Sequence, residues 1–364
     1  MSPASHPYTP HVQGRMKIGI VGFPGSGKTT IFNALTGLRA ETGFSGKTKE
    51  NMGVIKVPDE RIDQLATLHH SKKKVYTEVT FVDVAARPDA APAKGSGLDT
   101  QVIQAMQNCE ALVLVLRDFP SPMSAEAADP IRDLRDFQTE LILSDLGPME
   151  NRLGRLKKET GKDSEKKLLE RCIAHLESER PLATLGLSEE EQRTLSSFAS
   201  LTLKPILLVL NQDESGFAAG IPEALTQAAG GHALMNLSGK VEMDIAEMPP
   251  EEQPEFLAAL GIKASARDRF VRSAYGLLDL ISFLTTGEDE SRAWPIRRGF
   301  TAQKAAGRIH SDIERGFIRA EVIACDALMS LGGEKQARDA GKLRLEGKEY
   351  VVQDGDVITF RFNV

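Results

Sequence analysis

Apolar residues in this chain fall into short runs separated by helical or polar stretches. Six of these runs are five to seven residues long and rich in Val, Ile or Leu, as expected of buried β-strands. They are Lys17–Val21, Met52–Val57, Glu78–Asp83, Ala111–Arg117, Lys204–Leu210 and His232–Leu237. This alternation predicts an α/β fold built on a doubly wound, mostly parallel sheet.

The pattern changes between the fourth and fifth of these strands. From Pro130 to Gly161 apolar residues recur at helical spacing, and a second helical stripe follows over Leu169–Leu176. Two amphipathic segments joined by a short polar turn predict an antiparallel helical hairpin inserted into the sheet domain. Gly147 and Pro148 interrupt the first segment, so we expect a kink or a break there.

A phosphate-binding loop lies directly after the first strand. It consists of Gly22, Phe23, Pro24, Gly25, Ser26, Gly27, Lys28 and Thr29, and Thr30 continues into a helix. Glycines allow successive backbone N–H groups to turn towards phosphates, and the helix N-terminus adds positive potential. Lys28 is predicted to contact the outer phosphates, and the Thr29 hydroxyl to bind Mg²⁺. A chance glycine turn is the alternative, but the strand–loop–helix order argues against it. We therefore predict a nucleoside triphosphate site.

Two further elements fit that site. Asp83 ends the third strand where a Walker-B carboxylate holds Mg²⁺, although an Asp at a strand end is often only a cap. The fifth strand leads into Asn211-Gln-Asp-Glu214, where GTPases carry Asn-Lys-x-Asp. That Asp accepts two hydrogen bonds from guanine, and Glu214 does not match it. Because Glu214 does not accept the two guanine hydrogen bonds in the way that Asp does, the sequence predicts a preference for ATP over GTP.

Length, cysteine content and charge indicate the number of domains, the cellular compartment and the kind of partner. A length of 364 residues predicts two or three domains, and no apolar stretch approaches a membrane span. Three scattered cysteines and the lack of a signal-peptide core in Met1–Arg15 indicate the cytoplasm. The net charge is −6, but residues 151–180 and 291–364 each carry +3. Such basic segments are compatible with RNA binding, and equally with an ordinary mixed-charge surface.

Several motifs resemble the YchF/Obg-like ATPases, a family of the P-loop GTPase superfamily. The resemblance covers nearly the whole chain. The segments that carry it are Asp129–Asp133, Thr139–Leu143, Asn211–Glu214, Ser238–Lys240, Ala293–Arg297, Ala305–His310, Glu314–Glu321, Gly341–Gly347, Gln353–Asp356 and Phe360–Val364. It implies base recognition by Asn211, Gln212 and Glu214, with Ser238 in the loop that closes over the base. It also implies ATP hydrolysis, variable acceptance of GTP, and association with ribosomes.

The resemblance implies a division into domains as well. We expect a flexible extension over 1–15, a discontinuous P-loop domain over 16–128 and 200–288, a helical insertion over 129–199, and a small β-grasp (TGS) domain over 289–364. We expect a monomer.

The chain departs from the family at the switch positions. Gly25 replaces a family Asn, which puts potassium activation in doubt. Thr48 is the candidate for a second Mg²⁺ hydroxyl, one position out of register. Ala86 replaces a Gly but still offers an N–H to the γ-phosphate. Arg87 replaces a hydrophobic residue. It either stabilises, within the same chain, the negative charge that develops on the phosphates, or it is a solvated switch residue. The second interpretation is favoured.

Two functions follow from these residues. The first is an Mg²⁺-dependent ATPase that hydrolyses slowly, uses Lys28 for charge stabilisation with Arg87 as a weak candidate, and acts as a ribosome-associated switch. The alternative is a nucleotide-gated RNA- or ribosome-binding protein that has lost turnover. The intact phosphate loop supports both functions, and the altered switch residues favour the alternative more than the family resemblance does.

Overall fold

The computed structural model describes residues 16–38, 40, 51–84, 98–121, 126–249, 251–259 and 266–363. The chain divides into two compact units. The first unit comprises Met1–Ile55 and Val79–Leu277, and the second comprises Lys56–Glu78 and Leu278–Val364. Thr48, Ala86 and Arg87, the switch residues of the sequence prediction, lie outside the described residues.

The elements of the first unit alternate between strands and helices. They are β1 (Lys17–Val21), α1 (Lys28–Thr36), β2 (Asn51–Lys56, whose last residue opens the second unit), β4 (Glu78–Asp83), α3 (Thr100–Gln107), β5 (Ala111–Asp118), α4 (Pro130–Leu156), α5 (Asp163–Glu177), α6 (Glu189–Leu195), β6 (Ile206–Gln212), α7 (Glu214–Ala219), α8 (Glu223–Ala228), β7 (Ala233–Leu237), α9 (Gly239–Glu247), α10 (Gln253–Ala259) and α11 (Ala266–Leu277).

The sheet of the first unit has the order β2-β4-β1-β5-β6-β7. β1 pairs in parallel with β4 and with β5, and β5-β6 and β6-β7 are also parallel. All six predicted strands are present within two residues of their predicted bounds, and the doubly wound α/β fold is confirmed. Because the strands are parallel, the carboxyl ends of β1, β4, β5 and β6 meet at one edge, where such sheets bind ligands.

The helical hairpin also forms, with one difference from the prediction. α4 begins at Pro130 with Asp129 as its N-cap and continues through Pro148 as one helix of 27 residues. Of the kink or break expected at this point, the break does not occur. Packing explains the continuity, because Met149 directly after the proline is fully buried in a cluster shared with α5. Burial of the apolar stripe outweighs the hydrogen bond that Pro148 cannot make.

The second unit has its own mixed sheet. Its elements are α2 (Glu60–Leu68), β3 (Lys73–Val75), β8 (Leu280–Thr285), β9 (Glu290–Arg297), α12 (Ala302–Ile309), α13 (Ser311–Arg315), β10 (Phe317–Ala324), α14 (Cys325–Leu331), α15 (Glu334–Asp339), β11 (Arg344–Glu346) and β12 (Asp356–Phe362). The strand order is β11-β10-β12-β8-β9-β3. Within the described ranges, no helix has the length and apolar character needed to cross a membrane.

This unit begins earlier than the sequence predicts. β8 forms an antiparallel hairpin with β9, so the boundary lies near residue 278 rather than after residue 288. Residues 56–78, predicted within the P-loop domain, supply α2 and β3 to the second unit. β3 pairs in parallel with β9, and Ile62 and Leu65 of α2 are fully buried in its core.

Candidate nucleotide-binding site

The phosphate-binding loop connects β1 to α1 as predicted. Gly22 has φ 153° and Gly27 has φ 85°, a region that side chains rarely adopt. A Cβ on Gly22 would lie 2.6 Å from the carbonyl oxygen of Val115, and one on Gly27 would overlap the Asn211 amide. Glycine is therefore required at both positions. Phe23 packs its ring edge-on against Phe137 of α4, at 6.3 Å between centroids.

Thr29 and Asp83 meet beside this loop. Thr29 Oγ1 donates a hydrogen bond to Asp83 Oδ2 at 3.0 Å, and Asn51 Nδ2 lies 3.5 Å from the same oxygen. Asp83 is 3% exposed, and its Oδ1 has no hydrogen-bond partner in the described part of the protein. Burial raises the pKa of Asp83, while Thr29 and the charge of Lys28 lower it.

This pair fits a magnesium ion. A hydroxyl and a carboxylate are hard oxygen ligands, and Mg²⁺ in nucleotide sites takes only one or two of these from the protein. An unpartnered buried carboxylate oxygen is a group that a cation would satisfy. Among the described residues no cluster of three His, Cys, Asp or Glu side chains has the arrangement of a metal site, so an all-protein metal cage is not formed there.

Lys28 opens α1 next to the same carboxylate. Burial lowers the pKa of Lys28, and the negative charge of Asp83 opposes that shift. A half-buried ammonium at the start of a helix carries positive charge where a phosphate would approach. The geometry therefore supports the predicted role of Lys28 in charge stabilisation.

Asn211 links the phosphate loop to the loop after β7. Its Nδ2 donates to the Ser26 carbonyl at 2.9 Å, and its Oδ1 accepts from the Gly239 backbone N–H at 2.9 Å. Asn211 is 4% exposed. The side chain predicted to recognise the base thus also holds two loops at a fixed separation.

Gln212 is buried, and its side-chain amide forms hydrogen bonds with residues of neighbouring segments. Its Nε2 donates to Asp118 Oδ2 at 2.8 Å and to the Gly220 carbonyl at 3.2 Å, and its Oε1 accepts from Asn236 Nδ2 at 3.1 Å. The ends of β5, β6 and β7 are joined in this way. Gln212 therefore supports the loop as well as lining the cavity.

A cavity of about 610 Å³ opens beside these loops. Its lining residues are Gly27, Thr30, Phe119, Pro120, Asn211, Gln212, Asp213, Glu214, Ser215, Ser238 and Lys240. The volume suits a nucleoside. Ser238 is 3% exposed and its hydroxyl has no hydrogen-bond partner among the described residues, so it is available to a ligand. Glu214 lies exposed at the rim, with Oε1 4.0 Å from Lys240 Nζ.

Sequence reasoning missed Phe119, Pro120, Asp213, Ser215 and Lys240 in this lining, and Asn51 beside Asp83. Phe119 and Pro120 follow the carboxyl end of β5, so their position next to a strand end at the binding edge was the available signal. Lys240 was part of the Ser238–Lys240 motif but was not assigned a role. Asp213 caps α7 by accepting from the Gly216 backbone N–H at 2.8 Å.

Comparisons with known proteins agree with this geometry. Residues 17–146 match a family model described as a 50S ribosome-binding GTPase. Residues 280–363 match the YchF-GTPase_C model, described as a protein of unknown function. The chain is 41% identical to the ribosome-binding ATPase YchF of Bacillus subtilis, over 95% of this chain and 99% of that protein. The chain belongs to the YchF family. Its likeness to the Escherichia coli O157:H7 YchF is 39% identity over 96% and 99% of the two chains.

Solved structures extend the comparison to the fold. The YchF GTPase of Schizosaccharomyces pombe superposes on this family member with a TM-score of 0.84, at 30% identity and over 97% of this chain and 99% of that one. The GTP-binding protein of Pyrococcus horikoshii shares the fold, with a TM-score of 0.60 at 18% identity over 96% of this chain and all of that one. The P-loop domain followed by a C-terminal domain is therefore the arrangement expected of a YchF protein.

Proposed function

We propose that this protein binds ATP with Mg²⁺, hydrolyses it slowly, and acts as a nucleotide-dependent switch on ribosomes. The hydrogen bond between Thr29 and Asp83 beside the phosphate loop carries this proposal, because it brings two magnesium-type ligands to the end of a triphosphate site. Relatives of high coverage are named ribosome-binding ATPases, which supports both ATP and the ribosome as partners. Ribosome binding would place the protein in the cytoplasm.

Different residues around the phosphates have different roles in this proposal. Lys28 and the backbone N–H groups of the loop stabilise charge that develops on the outer phosphates during transfer. Thr29 and Asp83 would hold Mg²⁺, which when bound supplies neutralisation of the phosphate oxygens. Positioning and charge stabilisation, rather than a strong general base, then account for a slow rate. Thr48, Ala86 and Arg87 remain candidate switch contacts.

The base loop favours adenine. A guanine edge offers two adjacent donors, which the Asp of other GTPases accepts together, whereas Glu214 lies at the rim and faces Lys240. The Ser238 hydroxyl both donates and accepts, so it can pair with the adenine N1 or its amino group. Unpaired polar groups on the base cost binding energy, so we propose that ATP is preferred and GTP is accepted less well.

Phosphate release by the purified protein tests the function. We expect slow release from ATP that is Mg²⁺-dependent, slower release from GTP, and a faster rate when ribosomes are added. Nucleotide binding without any release, with or without ribosomes, would instead support a nucleotide-gated binding protein that has lost turnover. A rate equal to that of a Lys28→Ala preparation would show contamination rather than activity.

A further inference from the structure

The distal end of the α4–α5 hairpin concentrates positive charge. Residues 152–167, which we call the hairpin tip, contain seven Lys or Arg and three Asp or Glu, a net charge of +4 in a protein whose total is −6. The tip comprises the last turns of α4, the connecting turn and the start of α5. The helix dipole favours the cations at the end of α4 but opposes those at the start of α5, so helix stability explains only part of this charge.

Arg152 neutralises two of the three acidic residues from within the tip. Its Nε donates to Glu165 Oε1 at 2.8 Å, and its Nη1 donates to Glu159 Oε1 at 2.9 Å. The Arg152 hydrogen bond lowers the pKa of Glu165, so that carboxylate stays ionised and paired. Asp163 is the remaining acid.

Four lysines are left without ionic partners. Lys157, Lys158 and Lys167 are exposed and Lys166 is half-exposed. In the described part of the chain, none of the four has a carboxylate within ion-pair distance. Arg152 holds Glu159 and Glu165, which leaves Asp163 as the one acid of the tip that can screen these lysines, so most of their positive charge faces solvent.

The hairpin presents these lysines on a well-packed end. Leu156 at the end of α4 and Leu168 near the start of α5 are buried in the same cluster as Met149 and Cys172. The side chains that are large, apolar and exposed in the described structure are Leu38, Met52, Val54, Leu143, Ile318, Leu345, Val351 and Phe362, and the tip contains none of them. Protein interfaces bury an apolar or aromatic centre, which the tip does not offer.

We propose that the hairpin tip binds the phosphodiester backbone of RNA. Four unpaired ammonium groups suit phosphates as point charges, and they read no base sequence. The proposal rests on the proposed ribosome association and identifies the part of this chain that would contact ribosomal RNA. Affinity for RNA should therefore be insensitive to sequence and should fall steeply with salt, because bound phosphates release counterions.

Two double variants of the full-length protein test the tip. Lys157→Gln/Lys158→Gln and Lys166→Gln/Lys167→Gln each remove two charges from exposed helix positions. Arg135→Gln/Arg193→Gln is the matched control, because both arginines are exposed in the helical region outside the tip and the change in net charge is the same. Binding is measured against a fluorescent RNA duplex and against ribosomes over a range of salt, with ATP affinity as the check on folding.

We expect each tip variant to bind RNA and ribosomes about tenfold more weakly at low salt, with the salt slope reduced by about 2, while the control binds like wild type. Wild-type affinity and slope in both tip variants would overturn the tip assignment and leave ribosome association standing. Loss of ribosome binding with unchanged RNA binding would overturn RNA as the partner and indicate an acidic protein. Wild-type protein that binds neither ribosomes nor RNA would overturn both proposals.

The role of Arg152 has its own test. Arg152→Met and Lys167→Met each remove one positive charge, but only the first releases Glu159 and Glu165. A larger loss of RNA affinity in Arg152→Met supports the pairing argument. An equal loss in the two variants would show that Arg152 contributes only its charge.

Discussion

The Thr29 hydroxyl donates a hydrogen bond to the carboxylate of Asp83 at 3.0 Å. Thr29 belongs to the first turn of α1, and Asp83 is the last residue of β4, which pairs with β1. The fold of the first unit therefore brings two magnesium-type ligands together. Burying the charged Asp83 carboxylate costs free energy, and Mg²⁺ binding would offset that cost.

Removing the hydroxyl should separate metal-dependent from metal-independent binding. The factor by which Mg²⁺ raises ATP affinity should be about tenfold smaller in Thr29→Ala than in wild type, a difference of ~1.4 kcal/mol. Affinity for ATP in EDTA should change little. Thr29→Ser keeps the hydroxyl and should behave like wild type. Titrations of ATP with Mg²⁺ and with EDTA measure this. A full Mg²⁺-dependent gain in Thr29→Ala would exclude Thr29 as a ligand.

Asn211 should affect both purine nucleotides alike. Asn211→Ala removes the link between the Ser26 carbonyl and the Gly239 N–H, leaving buried backbone groups unsatisfied at a cost of about 1–3 kcal/mol. Asn211→Asp should be worse, because a carboxylate would face the Ser26 carbonyl. Affinities for ATP and GTP, measured by competition, should fall together. A loss confined to one base would contradict the linking role.

Glu214 should control the choice of base. Glu214→Asp restores the carboxylate length found in guanine-specific sites, so the ratio of GTP to ATP affinity should rise by about tenfold, within the range of a hydrogen bond to a charged group. Glu223→Asp, an exposed change at the first residue of α8, is the control and should leave the ratio unchanged. A ratio that stays constant in Glu214→Asp would mean that Glu214 does not contact the base.

Asp145 joins α4 to the segment before β6. Its carboxylate accepts from the Leu201 N–H at 2.8 Å, the Thr202 N–H at 2.9 Å and the Thr202 hydroxyl at 2.6 Å. Ala in its place can accept no hydrogen bond, which leaves these buried donors unpaired whatever the pH. Asp145→Ala should therefore lower the free energy of unfolding by about 1–3 kcal/mol at neutral pH.

This difference should depend on pH. Burial raises the pKa of Asp145 to about 6, above its unfolded value. The folded state then binds the proton more tightly, so the wild-type contribution is largest below about pH 4 and is reduced as pH rises through about 6. Asp145→Ala has no titrating group at this position. Urea unfolding should therefore show that the difference in the free energy of unfolding between the two proteins narrows from pH 4.5 to pH 7. A gap that widens would contradict the assigned direction.

Features encoded in short segments could be predicted from the sequence. The six strands and the phosphate loop depend on local apolar runs and on glycines at fixed spacing, and the structure places them as expected. Asp83 could be predicted because it directly follows an apolar run. Family motifs extended the prediction to Asn211 and Glu214, although not to the contacts that Asn211 makes with Ser26 and Gly239.

Features that depend on distant pairing could not be predicted. The sequence predicts that residues 56–78 belong to the P-loop domain. In the structure, however, β3 pairs with β9, which lies more than two hundred residues later in the sequence. The local pattern of Lys73–Val75 carries no information about that partner. Pro148 is the opposite case, since a strong local signal for a break is overruled by the packing of Met149 against α5.

Calorimetric titration of Mg-ATP into wild type, Lys28→Ala and Lys28→Met tests the central claim most directly. Lys28 is the side-chain cation that begins α1 beside Asp83, and Lys28→Met keeps the aliphatic part of the side chain while removing the charge. If the loop binds the phosphates of ATP, wild type should bind, and both variants should lose measurable affinity while keeping the wild-type unfolding midpoint. Affinity for Mg-ATP unchanged in the two folded variants would contradict the assignment of this loop as the triphosphate site.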